Sequence, residues 1–135
     1  MLEKALIYDI NLGNHSVGAH VRDAACYVVW SFSRAYAPEI MKPHVQVLAQ
    51  KLVVESLFDR EVHCRRAASA TFQEAVGRQG TFPHGIEILT EADYFTLSNR
   101  VNAYLNVSCF VGQFPEYLEA MLQHLAFVQL RHWEP

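Results

Sequence analysis

Seven histidines, three cysteines and a set of arginines placed in repeated text are the side chains of this chain that could do chemistry. A metal site would need His or Cys at ligand spacing on one face. His15 and His20 are five apart, poor registry for one side of a helix, and the adjacent His63 and Cys64 project in different directions. No H-E-x-x-H, zinc-knuckle or C-x-x-C spacing occurs. Cys26, Cys64 and Cys109 are odd in number and far apart, each inside a helical pattern where a reduced thiol behaves as a small core residue. A reactive or metal-binding thiol is the competing reading. Nucleophile elbow, P-loop and dinucleotide fingerprints are missing from the text. Gly77-x-x-Gly80 reads as a turn, because no strand feeds it and no Lys or Ser follows. Catalysis, a bound metal and a cofactor are therefore not expected.

The arginines carry more. Val21-Arg22-Asp23-Ala24-Ala25 and Cys64-Arg65-Arg66-Ala67-Ala68 share one pattern: a small apolar residue, arginine, a charge, then paired alanines. Arg100-Val101-Asn102-Ala103 is a looser echo. Helical text with a period of about 35–47 residues belongs to HEAT or armadillo arrays, whose units bury an apolar face only by stacking. The expectation is an all-α, HEAT/armadillo-like α-solenoid of about three helix pairs that offers a surface rather than a pocket. It forms one domain, 1–135, with repeats at roughly 1–36, 42–80 and 90–113 and a further helix over 115–131.

Bulk properties agree with a packed helical domain. Apolar residues make up 51% of 135, enough for a sizeable core. A net charge of −3 argues against a nucleic-acid face, which needs a basic stripe. Apolar runs are far too short for a membrane span, and acid, base and tyrosine interrupt the first residues where a secretory core would stand. The cytosol is the default.

Along the chain, residues 2–8 read as the end of a helix and Asp9 to Ser16 as a loop. Ser16 is the expected N-cap of a helix running to about Tyr36, with an inward stripe of Val21, Ala25, Val28 and Phe32. Pro43 suits the first turn of the next helix, which buries Val45, Leu48, Leu52 and Leu57 and turns Gln46, Gln50, Lys51 and Glu55 outward. Asp59 caps a helix from about Arg60 to Val76, with Cys64, Ala68, Phe72 and Ala75 inward. Gly77 to Gly85 is a breaker-rich connection that ends in Ile86–Leu89; no stretch reads as a firm strand, with Ala5–Ile10 or Ile86–Leu89 the candidates for local extension. Thr90 with Asp93 forms a capping box before a short helix over 91–98. A helix follows from about Asn99 to Val111 with Val101, Leu105 and Ser108 on one side. The last helix, from Glu116, turns Leu118, Met121, Leu122, Leu125 and Val128 inward.

Several stretches carry a family resemblance. They include Tyr8-Asp9, His15-Ser-Val-Gly18, Val21-Arg-Asp-Ala-Ala-Cys-Tyr-Val28, Phe58-Asp-Arg60 and Cys64-Arg-Arg-Ala-Ala-Ser69. Gly77-Arg-Gln-Gly-Thr-Phe-Pro-His-Gly85, Ala92-Asp-Tyr-Phe95 and Phe114-Pro-Glu-Tyr117 continue the set. The chain resembles the tubulin-folding cofactor D family over nearly its whole length. The Gly77–Gly85 run is a specific signal, because core packing alone would not dictate a loop sequence. The resemblance implies a HEAT-repeat chaperone of the post-chaperonin tubulin pathway, cytoplasmic and cytoskeleton-associated. Such proteins capture β-tubulin and work with cofactors C and E to assemble or dismantle the αβ heterodimer. They also engage an Arf-like GTPase, and the assembly stimulates GTP hydrolysis by tubulin. HEAT repeats also carry an acid about six residues before the second-helix arginine, forming a ladder between repeats. Asp59 and Arg65 match that spacing, Asp93 lies seven before Arg100, and Ser16 stands where Arg22 should find its acid. Arg22, Asp59, Arg65 and Arg100 are the expected ladder.

Candidate contacts for a partner are Arg60, Arg66, Arg78, Phe82 and His84. The arginines either meet an acidic surface or form a solvated face balanced by Glu61 and Glu74. The loop with Phe82, Pro83 and His84 either buttresses neighbouring repeats or touches the partner. Ser69 follows two arginines as a kinase substrate would, yet sits beside the inward Ala68. Phe127 to Trp133 should pack on a further repeat, and self-association follows where that face is bare. The competing reading is a generic helical-repeat scaffold with a non-tubulin partner.

Overall fold

Alternation of apolar stripes with Pro and Gly breaks divides the chain into helices joined by short turns. The computed structural model describes residues 2–6, 10–12, 15–93 and 95–133, with side chains for 2–6, 18–93 and 95–127. Helix α1 is Leu2–Leu6, followed by a hairpin of β1 Ile10–Leu12 and β2 His15–Val17. Then come α2 Ala19–Ala35, α3 Pro38–Met41, a 3₁₀ turn Lys42–His44, α4 Val45–Phe58, α5 Val62–Gln79 and α6 Gly85–Glu91. A helical stretch over 100–111 contains a π segment, Asn102–Val107, that leads into α7, Ser108–Val111; α8 is Pro115–Trp133.

The fold is all-α, an α-solenoid of stacked helices, and the two helices carrying the Arg-x-Ala-Ala text lie side by side. Helix α5 packs on α2 and on α4, while α4 is flanked by α1 and α8. Helix α4 is buried nearly all round at its C-terminal end, from Leu52 to Phe58. Cys64, Ala68, Phe72 and Ala75 of α5 face inward as the periodicity requires, as do Val45, Leu48, Leu52 and Leu57 of α4. Side chains of α5 also reach the backbone of α2. Thr71 Oγ1 donates to Cys26 O at 3.0 Å, and Gln79 Nε2 donates to Ser33 O at 2.9 Å and Tyr36 O at 3.2 Å. These satisfy carbonyls that would otherwise be costly to bury.

Several expectations from periodicity are corrected. Ser16 is not an N-cap: it lies in β2, opposite Asn11 of β1, so part of the expected loop is a hairpin, and α2 starts after Gly18. The buried face of α2 is Arg22, Ala25, Cys26, Val29 and Ser33, while Val21 and Phe32 are exposed. The helix is rotated about one position from the apolar stripe, because Arg22 and Ser33 find polar partners inside. Glu55 is not outward; it is 3% exposed. Ile86–Leu89 is helical. Thr90 turns its hydroxyl back to Ile86 O, and the capping pair is Asp93 with Thr96, closing a turn where a helix over 91–98 was expected.

In the C-terminal part, Ser108 N–H bonds to Ala103 O, an i→i+5 step. That wider turn puts Ala103, Val107 and Val111 inside and leaves Val101 and Leu105 exposed. On α8 the buried residues are Tyr117 and Met121; Leu118 and Leu122 face out and Leu125 is half-buried, while the Val128 side chain lies outside the described ones. Cys109 is exposed, unlike the other two thiols.

Candidate functional site

Two arginine-centred seams join the repeats. In the first, Asp59 follows α4 with extended backbone and points its carboxylate at α2. Arg22 Nε donates to Asp59 Oδ2 at 2.6 Å and Nη2 donates to Oδ1 at 3.1 Å, a two-point contact with both side chains nearly fully buried. Asp59 Oδ1 also accepts from Glu61 N–H at 2.9 Å, tying the start of α5 to the same carboxylate. In the second seam Arg65, 2% exposed, spreads its guanidinium over backbone. Its Nε donates to Leu97 O at 2.8 Å, Nη1 to Asp59 O at 2.8 Å and Arg60 O at 3.1 Å, and Nη2 to Ser98 O at 3.2 Å. Burial lowers the Arg65 pKa from its ordinary value, with the Asp59 charge opposing. Arg66 donates to Ser98 Oγ at 2.9 Å and Ser69 Oγ to Ala92 O at 3.1 Å, so one face of α5 clamps the 92–98 segment.

Acids and thiols crowd the first seam. Cys26 Sγ donates to Glu55 Oε2 at 3.4 Å, and Cys64 Sγ donates to Ala19 O at 3.5 Å. Burial, with the Asp59 charge next, pushes the Glu55 carboxyl up to about 9. Burial likewise pushes the Cys64 thiol up to about 12 and raises Cys26 still further. Sequence reasoning missed this group, because Cys26, Glu55, Asp59 and Cys64 come from three elements at no motif spacing. The one legible signal was Glu55 inside an otherwise apolar run, Leu52 to Phe58.

The expected contact residues scatter. Phe82 is corrected to a core residue: it is 7% exposed and meets Phe72 edge to face at 5.4 Å. His84 has a left-handed backbone, φ 51°, and stacks on Phe114 at 4.1 Å. Its ring nitrogens reach Glu87 at 3.4 Å and Glu116 at 3.1 Å. Tyr117 donates from below to Pro83 O at 2.5 Å. This connection therefore braces α5 against α8. Arg78 is exposed and pairs with Glu74 at 3.0 Å, and Arg60 and Arg66 are half-buried. Arg100 is exposed, and Asp93 is occupied by the N–H groups of Phe95 and Thr96. Between α2 and α5 runs a groove of about 620 Å³ lined by Asp23, Tyr27, Trp30, Ala67, Ala70 and Thr71. Tyr27 and Trp30 stack along it at 5.8 Å, and Arg34 lies 4.8 Å over the Trp30 ring. Of each alanine pair, the second (Ala25, Ala68) is buried and the first (Ala24, Ala67) lines this groove. Among the described residues no helix is long and apolar enough to cross a membrane.

Stacked helices with buried arginine seams and an open inter-helix groove define a helical-repeat protein of the α-solenoid class. The chain belongs to the tubulin-specific chaperone D-like family with ARM repeats, whose description matches residues 1–86. It is 45% identical over 133 residues to the tubulin-specific chaperone D of Dictyostelium discoideum, covering 97% of this chain and 9% of that protein. It is 32% identical over 134 residues to the tubulin-folding cofactor D of Schizosaccharomyces pombe, covering 99% of this chain and 12% of that one. The chain thus spans about a tenth of the length of these relatives. No solved structure matches it.

Proposed function

We propose that this chain is a β-tubulin-binding segment of a cofactor D-like chaperone, acting in the cytoplasm on assembly and disassembly of the αβ heterodimer. The observation that carries the reading is similarity to tubulin chaperones across nearly the whole chain. The chain works by binding rather than catalysis, within repeats at 1–36, 42–80 and 90–113 and a further helix over 115–131. Cofactors C and E and an Arf-like GTPase, with stimulated GTP hydrolysis, belong to the larger assembly. The α2–α5 groove, with its exposed Tyr27, supplies the apolar part of the contact, since aromatic anchors in a concavity dominate binding energy. Arg60, Arg66 and Arg78 steer an acidic client, and His84 is a separate contact on the α5–α8 connection. Arg22, Asp59 and Arg65 act as the ladder that sets the stacking, whereas Arg100, exposed and without Asp93 as its acid, does not take part.

The test is co-elution of the purified chain with αβ-tubulin and with isolated β-tubulin. Retention of β-tubulin, weakened at least tenfold by Tyr27→Ala with Trp30→Ala and slowed in association by Arg78→Glu, supports the reading. A folded monomer that retains no β-tubulin sinks it and favours a scaffold for another client.

A further inference from the structure

We propose that Glu55, Asp59 and Cys64 form a binding site for a divalent cation of the zinc type, which staples α4 to α5 in the Arg22 seam. Among the described residues these three each bring a ligand atom within 4.8 Å of the others. Glu55 has one side-chain oxygen without a partner: Oε2 accepts from Cys26, but Oε1 is fully buried with no hydrogen bond. A carboxyl oxygen sealed from water and left unpaired is costly, and a cation supplies what it lacks. Asp59 has room as well. Its two oxygens offer about four lone-pair positions. Oδ1 accepts from Arg22 Nη2 and Glu61 N–H, and Oδ2 accepts from Arg22 Nε, so one position on Oδ2 is left.

The donor set chooses the ion. Two carboxylates and one sulfur are too soft for magnesium or calcium, which prefer all-oxygen shells, and too oxygen-rich for copper(I). Zinc accepts both donors at about 2.0–2.3 Å, so the three atoms draw inward by a side-chain-scale movement. Arg22 on Asp59 and the Cys26 thiol on Glu55 act as the outer partners that orient ligating carboxylates. Carboxyl and thiol groups ligate a metal as their anions, so the ion competes with protons for these ligands. Affinity therefore rises with pH.

The experiment uses the 135-residue chain stripped by chelator and titrated with Zn²⁺, and separately with Co²⁺. One zinc per chain should bind with release of protons, and at a hundredfold excess over the dissociation constant the melting temperature should rise by about 5 °C or more. Cobalt should give a sulfur-to-metal charge-transfer band. Glu55→Gln and Cys64→Ser should each lower affinity at least a hundredfold, whereas Cys109→Ser, at the exposed thiol, should leave it unchanged. Glu55→Gln removes a buried ionisable group and keeps the chain folded, so its loss of binding cannot be ascribed to unfolding. No stabilisation of the folded chain by zinc, or binding that survives Glu55→Gln or disappears with Cys109→Ser, overturns the proposal.

Discussion

Arg22 and Arg65 occupy the same place in two copies of one motif, on neighbouring helices, and both are buried. Arg22 meets a carboxylate, so charge is matched by charge at the seam. Arg65 meets four carbonyls, so its charge is spread over backbone dipoles that bound the 59–60 and 97–98 segments. The repeat text decides which side chain turns inward. The partner depends on what the next element offers. Asp59 ends α4 with its carboxylate free to cross the seam, whereas Asp93 spends its carboxylate on its own turn.

The largest test removes Arg65. Arg65→Ala leaves buried carbonyls without donors and should cost about 4–5 kcal/mol in urea unfolding. Arg65→Lys should recover only part of this, because an ammonium cannot fork to both segments. Arg22→Met comes next, at about 3–4 kcal/mol, since it strands Asp59 beside Glu55. Its cost should fall when Asp59→Asn is added, and a double-mutant cycle measures that coupling. Equal costs that stay unchanged in the double mutant would mean the two seams do not differ as their partners suggest.

A third test separates the seams by pH. Glu55 belongs to the Arg22 seam alone, and its folded pKa, about 9, lies above its unfolded value near 4.5. The folded chain holds a proton that the unfolded chain releases. Its stabilising contribution is therefore complete below about pH 4.5, falls as pH rises, and is lost by about pH 9. At pH 7 proton uptake costs about 3 kcal/mol. Glu55→Gln in metal-free buffer should gain up to that amount and flatten the pH dependence. The Arg65→Ala background should keep the Glu55 slope.

Much of this arrangement was legible in the sequence, and the exceptions share physical causes. The paired Arg-x-Ala-Ala helices and the inward stripes Val45, Leu48, Leu52, Leu57 of α4 and Cys64, Ala68, Phe72, Ala75 of α5 followed from periodicity, because those positions are apolar at helical spacing. The α2 face was misplaced because periodicity counts apolar residues, and here Arg22 and Ser33 enter the core with partners from distant sequence. Glu55 was turned outward for the same reason. The 100–111 helix was misread because a π turn changes the period, and composition does not announce it. The seam chemistry of Cys26, Glu55, Asp59 and Cys64 had no linear spacing to find. Phe82 was placed in a polar-looking loop, yet its ring is a core wedge between α5 and the chain that follows.

The smallest effect tests what holds the Arg65 seam in register. A Cβ on Gly85 would lie 2.6 Å from Val76 Cγ2, so α6 rests on α5 only because residue 85 has no side chain. Helix α6 leads into the 92–98 segment whose carbonyls Arg65 holds. Gly85→Ala should therefore cost about 1–2 kcal/mol, as overpacking does. That cost should be non-additive with Arg65→Ala, because the displaced carbonyls have already lost their donor, and additive with Arg22→Met in the other seam. Gly77→Ala is the control. It lies within α5 with open space around it and should be neutral or stabilise by a few tenths of a kcal/mol up to about 1. If Gly85→Ala coupled equally to both arginines, the two seams would form one cooperative unit, and the contrast between carboxylate and carbonyl partners would be local detail.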